Sequence, residues 1–334
     1  MRRWKIDPAR RDWPDTPELE AALADLLAGR LLAVPTETVY GLAGDATDPE
    51  ACAAIFAAKG RPQFNPLIAH VDSFETAKRH GVFNEDASAL ATAFWPGPLT
   101  LVVPKSPEST VCDLATAGLD TVALRVPSAA IMRDLASGAG VPVAAPSANR
   151  SGRISGTTAD DVAADLGPSL ALLIDAGPTP VGVESTIVGL VDGTPRLLRP
   201  GGIPREDLET VLGHPLAGAA TPQAAGGHDA APLAPGMLTS HYAPDARMRL
   251  NATALAPGEA LLAFGPAPLP GQEHAVAVEQ LSSTGDPREA AARLFSALRR
   301  LDASGAATIA VMPIPREGLG EAINDRLGRA AAPR

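Results

Sequence analysis

The chain has 334 residues, a hydrophobic content of 46 % and a net charge of −10. That length suggests two domains, or one large and one small. The acidic balance excludes a surface coated in basic groups for nucleic acid while allowing a local basic cleft, and the absence of any apolar run near the roughly 18 residues a bilayer requires excludes a membrane span.

The first residues, Met1-Arg2-Arg3-Trp4-Lys5-Ile6-Asp7-Pro8, carry charge with no apolar stretch behind them and do not read as a secretory signal. Glu18 to Ala28 has helical periodicity, with Gly29 as its stop. Leu31 to Val34 reads as a short buried strand, followed by Pro35-Thr36-Glu37-Thr38-Val39-Tyr40-Gly41-Leu42. A strand ending this way delivers hydroxyls and a carboxylate to its carboxyl end, where open α/β sheets place ligands. Asp48 reads as an N-cap with Pro49 at the first helical position, opening a helix to Lys59 that Gly60 ends. Cys52 falls in this Ala-rich helix as a core residue. Cys112, the only other cysteine, lies far from it, and the pair matches no metal or CxxC spacing. A reduced, cytoplasmic setting is expected.

Leu67 to Val71 reads as a strand, Glu85 to Phe94 as a helix, Leu99 to Val103 and Thr121 to Val126 as strands, and Ala129 to Ala136 as a helix. Val141 to Ala145 is a further strand, Ala159 to Leu166 a helix and Leu170 to Ile174 a strand. Ser185 to Val191 and Arg196 to Leu198 form a hairpin around Asp192-Gly193. From Pro204 to about Pro235, Gly, Ala and Pro dominate apart from a short helix at Glu206 to Leu212, which reads as a linker. A second α/β pattern follows: strands at Ala260 to Phe264, Ala275 to Val278 and Thr308 to Met312, and helices at Asp286 to Leu301 and Leu319 to Leu327. No GxGxxG follows its first strand, so it is not a dinucleotide site. The expected organisation is a first domain at 15–204, a linker at 205–244 and a small Rossmann-like domain at 245–334. The fold class is α/β, a twisted mixed open sheet with flanking helices.

Several polar clusters fall at strand ends. Lys59 and Arg61 are two cations that can converge on phosphates, or simply face a helix dipole. His70 lies inside a strand, as a core group or as a ligand. Arg125 lies inside an apolar strand and requires an anionic partner, either a structural carboxylate or a substrate's. Ser147, Asn149 and Ser151 follow another strand in a loop suited to an anion or to an ordinary turn. Glu184-Ser185-Thr186 and Arg199-Pro200-Gly201 are similar. Together they suit a ligand with triphosphate and carboxylate groups. The P-loop signature GxxxxGK[ST] is absent.

The motifs Pro35 to Leu42, Lys59-Gly60-Arg61-Pro62, Asn65-Pro66-Leu67, Trp95 to Thr100, Arg125-Val126-Pro127, Ser147-Ala148-Asn149 with Ser151-Gly152, and Glu184 to Val188 occur in an order that resembles the YrdC-like family. These are the L-threonylcarbamoyladenylate synthases. Ala234-Pro235-Gly236-Met237 and His241-Tyr242-Ala243-Pro244 resemble the linker of their long, two-domain members. The resemblance implies a nucleotidyltransferase that converts L-threonine, bicarbonate or CO2, and ATP into threonylcarbamoyl-AMP and pyrophosphate. That product would feed the threonylcarbamoyl modification of tRNA through downstream transfer proteins. It implies ATP as a substrate and Mg2+ with it, without identifying metal ligands; Glu37 and Glu184 are nearby candidates. Thr36, His70, Arg125, Ser185 and the main chain at Ala145 match threonine-binding positions. Arg61, Asn65, Thr121, Ser147, Ser155, Arg199 and Tyr242 match ATP positions. Lys59, Arg61, Ser147 and Asn149 form the implied catalytic, phosphate-facing set. Tyr242 would make the linker a lid, or would simply pack at the domain boundary. Duplex-RNA binding is the alternative function; the synthase reaction allows RNA contact without requiring it.

Overall fold

The computed structural model describes residues 1–62, 64–218 and 241–333. Strand β1 (Arg2–Lys5) precedes α1 (Pro17–Leu27), β2 (Leu32–Pro35), β3 (Tyr40–Asp45), α2 (Pro49–Lys59) and β4 (Ile68–His70). Next come α3 (Phe74–His80), α4 (Glu85–Phe94), β5 (Leu99–Pro104), α5 (Asp113–Thr116), β6 (Thr121–Arg125), α6 (Ala130–Ala139) and β7 (Val143–Ala144). The first domain ends with α7 (Ala159–Leu166), β8 (Leu172–Asp175), β9 (Thr186–Gly189), β10 (Arg196–Arg199), α8 (Arg205–Leu212) and β11 (Ala217–Gly218). Local chemistry sets several boundaries. The Asp48 side chain accepts from the Glu50 amide ahead of Pro49, and Gly60 ends α2 at φ 60°, a left-handed conformation that glycine adopts without strain.

Among the described residues the first sheet runs β1-β8-β2-β3-β7-β4-β6-β5-β9-β10-β11. It is mixed: β4/β6 and β5/β9 are parallel, whereas β2/β3, β3/β7, β4/β7, β5/β6 and β9/β10 are antiparallel. The hairpin expected around Asp192-Gly193 is β9/β10. Strand register puts Ile68 opposite Ala123 and His70 opposite Arg125. Because side chains alternate across a strand, Ile68 with His70, and Thr121 with Ala123 and Arg125, share a face. Ile68, Val102, Ala123, Ile187 and Leu198 form an apolar floor on that face.

The second domain holds β12 (Arg247–Arg249), β13 (Ala260–Ala263), β14 (Val278–Gln280), α9 (Pro287–Asp302), β15 (Thr308–Val311) and α10 (Leu319–Ala331). Its sheet, β12-β15-β13-β14, is wholly parallel. Its core continues into the first domain and the linker: Val39, Ile154 and Val183 of the first domain and Tyr242 of the linker join one apolar cluster with Leu294, Phe295 and Leu298 of α9. The chain 205–218, read as linker, packs on the first domain in the structure. Leu208 of α8 is buried in its core and β11 pairs with β10. The rest of that linker up to residue 240, including Ala234-Pro235-Gly236-Met237, lies outside the described residues.

Some elements differ from the sequence reading. Tyr40 to Asp45, to which no strand was assigned, is β3, paired back on β2. Gly41 serves close approach within it: a Cβ there would lie 3.0 Å from that of Ala145. The strand read at Ala275 to Val278 is shifted to Val278–Gln280, and Val141 to Ala145 narrows to Val143–Ala144. Strands β1 and β12 carry Arg and Lys instead of an apolar run and gave no periodic signal. Among the described residues no helix is long and apolar enough to cross a membrane.

Candidate active site

A cavity lies against the face of the sheet that Ile68, His70 and Arg125 share. Its walls add Thr38 and Val39 from the β2–β3 turn, Arg61 after α2, Ala145 to Ser147 after β7, Glu184 and Ser185 before β9, Arg199 at the end of β10, and His241 and Tyr242. The enclosed space is about 40 Å³, room for a few waters.

At one end, the Arg125 Nη2 donates to Glu37 Oε1 at 2.6 Å and to Thr38 Oγ1 at 3.0 Å. Glu37 Oε2 accepts from the amides of Ser128 and Ala129. Burial alone would raise the Glu37 carboxyl, but Arg125 outweighs it and holds the group below its ordinary range. Of the two partners left open for Arg125, the structure shows the structural carboxylate, Glu37, while the Arg125 Nε is buried without a partner. His70 receives no carboxylate. Its Nδ1 lies 3.3 Å from the Val143 carbonyl, and burial, with Arg125 alongside, pushes its pKa down to about 3. The imidazole is neutral. The Ser185 hydroxyl lies 2.7 Å from that of Thr100. Thr36 donates to the Val39 carbonyl at 2.6 Å, fixing the turn, so its neighbour Thr38 lines the cavity in its place.

The other end is rich in cations. Arg199 donates to the Ser185 carbonyl at 2.8 Å and its hydroxyl at 3.1 Å. Arg61 donates to the carbonyls of Asn65 and Pro66, and burial lowers its pKa to about 10. Lys59 gives two 2.5 Å bonds to the carbonyls of Ser147 and Asn149, pinning that loop. Burial and then Arg61 push its pKa well down. The Asn149 amide donates to the carbonyls of Arg150 and Arg153, while its Oδ1, like that of Asn65, is buried with no partner. Glu184 is the anion among these cations. Burial opposes its charge, but Arg326 and Arg199 hold its pKa at about 2. Ser155 donates to Glu184 Oε1 at 2.6 Å. Tyr242 adopts φ 61°, stacks on Phe295 and lies under the Arg326 guanidinium at 5.2 Å. It thus both walls the cavity and packs at the domain boundary. Thr121 does not line the cavity. It lies on the same sheet face at the far end of β6, about 13 Å from Arg125 at strand spacing.

Among the described residues, no three His, Cys, Asp or Glu side chains are grouped to hold a metal. Glu37 and Glu184 are each engaged by an arginine, so the donor set does not fit a resident divalent ion ligated by carboxylates. Sequence reading missed Thr38, Val39, Ile68, Pro146 and His241 of the cavity wall, and Arg326 behind it. Val39 and His241 sit inside motifs already noted, but nothing in the sequence distinguished them. Arg326 carries no local signal, since a lone arginine in an amphipathic helix normally reads as exposed.

Fold and cavity define an α/β domain whose mixed sheet carries a buried arginine-rich site on one face, walled in part by His241 and Tyr242 of the segment that leads into a second, parallel-sheet domain. A family profile described as "Telomere recombination", covering the Sua5, YciO and YrdC proteins, matches residues 24–201, and one described as "Threonylcarbamoyl-AMP synthase, C-terminal domain" matches 203–332. The chain belongs to this YrdC-like family. It is 40 % identical to a threonylcarbamoyl-AMP synthase of Pyrococcus abyssi, covering 94 % of each chain. It is 36 % identical to one of Bacillus subtilis, covering 100 % of this chain and 98 % of the other. A solved structure of Pyrococcus abyssi Sua5 complexed with L-threonine aligns with TM-score 0.85 and 37 % identity, over 99 % of this chain and 97 % of that one.

Proposed function

We propose that this protein is a threonylcarbamoyl-AMP synthase. The observation that carries the reading is its end-to-end likeness to proteins of that name, one of them solved with L-threonine. The threonine amine adds to CO2, from bicarbonate, to give a carbamate and a proton. A carbamate oxygen then attacks the α-phosphorus of ATP and pyrophosphate leaves, with no covalent enzyme intermediate. The chain's contribution is positioning and charge neutralisation.

Threonine belongs at the Arg125 end. The unpartnered Arg125 Nε is a donor for its carboxylate, and Ser185, Thr38, His70 and the Ala145 main chain surround it, with the Thr36 hydroxyl behind Thr38 at 2.8 Å. A neutral His70 adds no positive charge beside the substrate ammonium, which must lose its proton before the amine attacks. ATP belongs at the Arg61 and Arg199 end, with Ser147, Asn65, Asn149 and Ser155 beside the phosphates. Thr121 lies farther along the same face, toward the purine. Lys59 acts by fixing the Ser147–Asn149 loop. A divalent ion arrives as Mg-ATP, held by phosphate oxygens and supplying charge neutralisation there. His241 and Tyr242, which wall the cavity, serve as a lid that orders over the bound nucleotide. The product then passes to tRNA-modifying transfer proteins in the cytoplasm.

The test is turnover with radiolabelled bicarbonate and each of the twenty amino acids. Pyrophosphate release that requires threonine, with label in a nucleotide product, is expected. Release without a threonine requirement, or none with Mg2+ present, overturns the reading, and salt-dependent duplex-RNA binding is then measured.

A further inference from the structure

Arg326, on α10 of the second domain, is the largest fully buried side chain in the described structure, at 0 % exposure. A buried guanidinium is costly unless fully paired. Here Nε donates to Glu184 Oε2 at 2.8 Å and Nη1 to Asp325 Oδ2 at 2.6 Å, while Nη2 has no partner. The other oxygen of Glu184 takes the Ser155 hydroxyl. The same segment is held by the second domain's other helix: Arg299 of α9 donates to the Ile154 carbonyl at 2.5 Å while paired with Asp165 at 2.7 Å.

Domain docking alone does not account for Arg326. Docking is already served by the shared apolar cluster and by more exposed ion pairs. Arg205–Glu321 is 29 and 32 % exposed, and Arg153–Asp245 is 45 and 67 % exposed. A buried pair adds little net stability over apolar packing. What distinguishes Arg326 is its partner, Glu184, the one carboxylate among the described residues lining a cavity that also presents Arg61 and Arg199. Glu184 is close enough to Arg199 for the two to shift each other's charge equilibria. Left unrestrained, it would neutralise the arginines meant for an anionic ligand.

We propose that Arg326 is a positioning residue for the nucleotide: it holds Glu184 back against Ser155, so that the charges of Arg61 and Arg199 remain available to phosphate. The second domain thereby tunes the anion affinity of the first domain's site. This rests on the reading of that end of the cavity as the ATP end.

The experiment measures binding of ATP and of L-threonine by calorimetry, with threonine-dependent pyrophosphate release assayed in parallel. Arg326→Met is expected to weaken ATP binding about tenfold or more while leaving threonine binding within about twofold. Arg326→Lys is expected to fall between Met and wild type, and it serves if the Met variant folds poorly. The double variant Arg326→Met with Glu184→Gln removes the unrestrained carboxylate and is expected to recover most of the lost ATP affinity, a coupling that a purely structural role would not produce. Equal losses for both ligands, no change in ATP affinity, or no recovery in the double variant overturns the proposal. So does a wild-type protein that fails to bind ATP. Wild-type ATP binding without threonine-dependent pyrophosphate release would count against the synthase reading alone.

Discussion

Arg125, in the cavity wall, and Glu37, behind it, bind each other at 2.6 Å and are 4 and 8 % exposed. The pair sets Arg125's geometry. With Nη2 held by Glu37 and Thr38, the guanidinium plane is fixed and its Nε edge is presented to a ligand. Arg125→Lys keeps a charge but loses the planar fork. The expected result is a threonine KM raised at least about tenfold with ATP KM little changed, read from initial rates. Glu37→Ala leaves the guanidinium without its carboxylate and should destabilise the fold by about 3–5 kcal/mol, the usual consequence of breaking a buried pair. Equilibrium urea unfolding measures it, and a loss below about 1 kcal/mol would show that the pair relaxes into solvent.

Acid stability follows from the buried imidazoles. Burial holds His70 and His241 each at about 3, and lowers His80 as well. The unfolded chain takes up protons near pH 6.5 that the native imidazoles refuse, so this stability is complete above about 6.5 and is lost as pH falls toward 3. Between pH 7 and 5 each of the two should lose about 2 kcal/mol. Glu184, at about 2, and the lowered Glu37 add loss in the same direction, beginning only below about pH 4.5. Urea unfolding at pH 7, 6 and 5 should show a falling midpoint, and His241→Gln should flatten the slope. A midpoint independent of pH over that range would place these histidines in contact with solvent.

Much of this arrangement was legible in the sequence, for a physical reason. Apolar runs such as Leu99 to Val103 and caps such as Asp48-Pro49 are local, and the polar clusters at 36–38, 59–61, 147–149 and 184–186 sit where those runs stop. What escaped was set by distant contacts. Tyr40 to Asp45 is a strand because β2 and β7 flank it, not because of its own composition. Edge strand β1 gains its pairing from β8, 170 residues on. Arg326 becomes an active-site neighbour only when α10 packs over Glu184 and Tyr242, and no spacing within α10 encodes that.

Two glycines separate steric need from propensity. A Cβ on Gly201 would lie 2.4 Å from the Glu184 carbonyl oxygen, the Ser185 carbonyl carbon and the Thr186 nitrogen, all backbone that cannot swing aside. Gly201→Ala should therefore displace the Glu184–Thr186 segment, destabilise the fold by about 2 kcal/mol or more and raise the KM of both substrates. Gly328, exposed within α10, would meet nothing within 4 Å. Gly328→Ala should stabilise by about 0.5–1 kcal/mol without touching activity. Thermal unfolding of the two variants should shift in opposite directions; a shared direction would contradict the packing described around Gly201.

Metal binding should depend on the nucleotide. Glu184, in the cavity wall, and Glu37, behind Arg125, are already engaged: Glu37 by Arg125 and two backbone amides, Glu184 by Arg326 and Ser155. A divalent ion placed there would have to displace an arginine while standing among Lys59, Arg61 and Arg199, which Coulomb repulsion opposes. The triphosphate reverses that balance by bringing its own negative charge and oxygen ligands, the donors Mg2+ favours. Mn2+ followed by electron paramagnetic resonance is the direct probe. Without ATP the free-ion signal should be undiminished by the protein at millimolar Mn2+. With ATP, the Mn-ATP signal should change as protein is added, and Arg199→Ala should weaken that response. Stoichiometric uptake of Mn2+ by the protein without nucleotide would mean that Glu37 or Glu184 exchanges its arginine for metal, and the ion would then be a resident of the site and not a passenger on ATP.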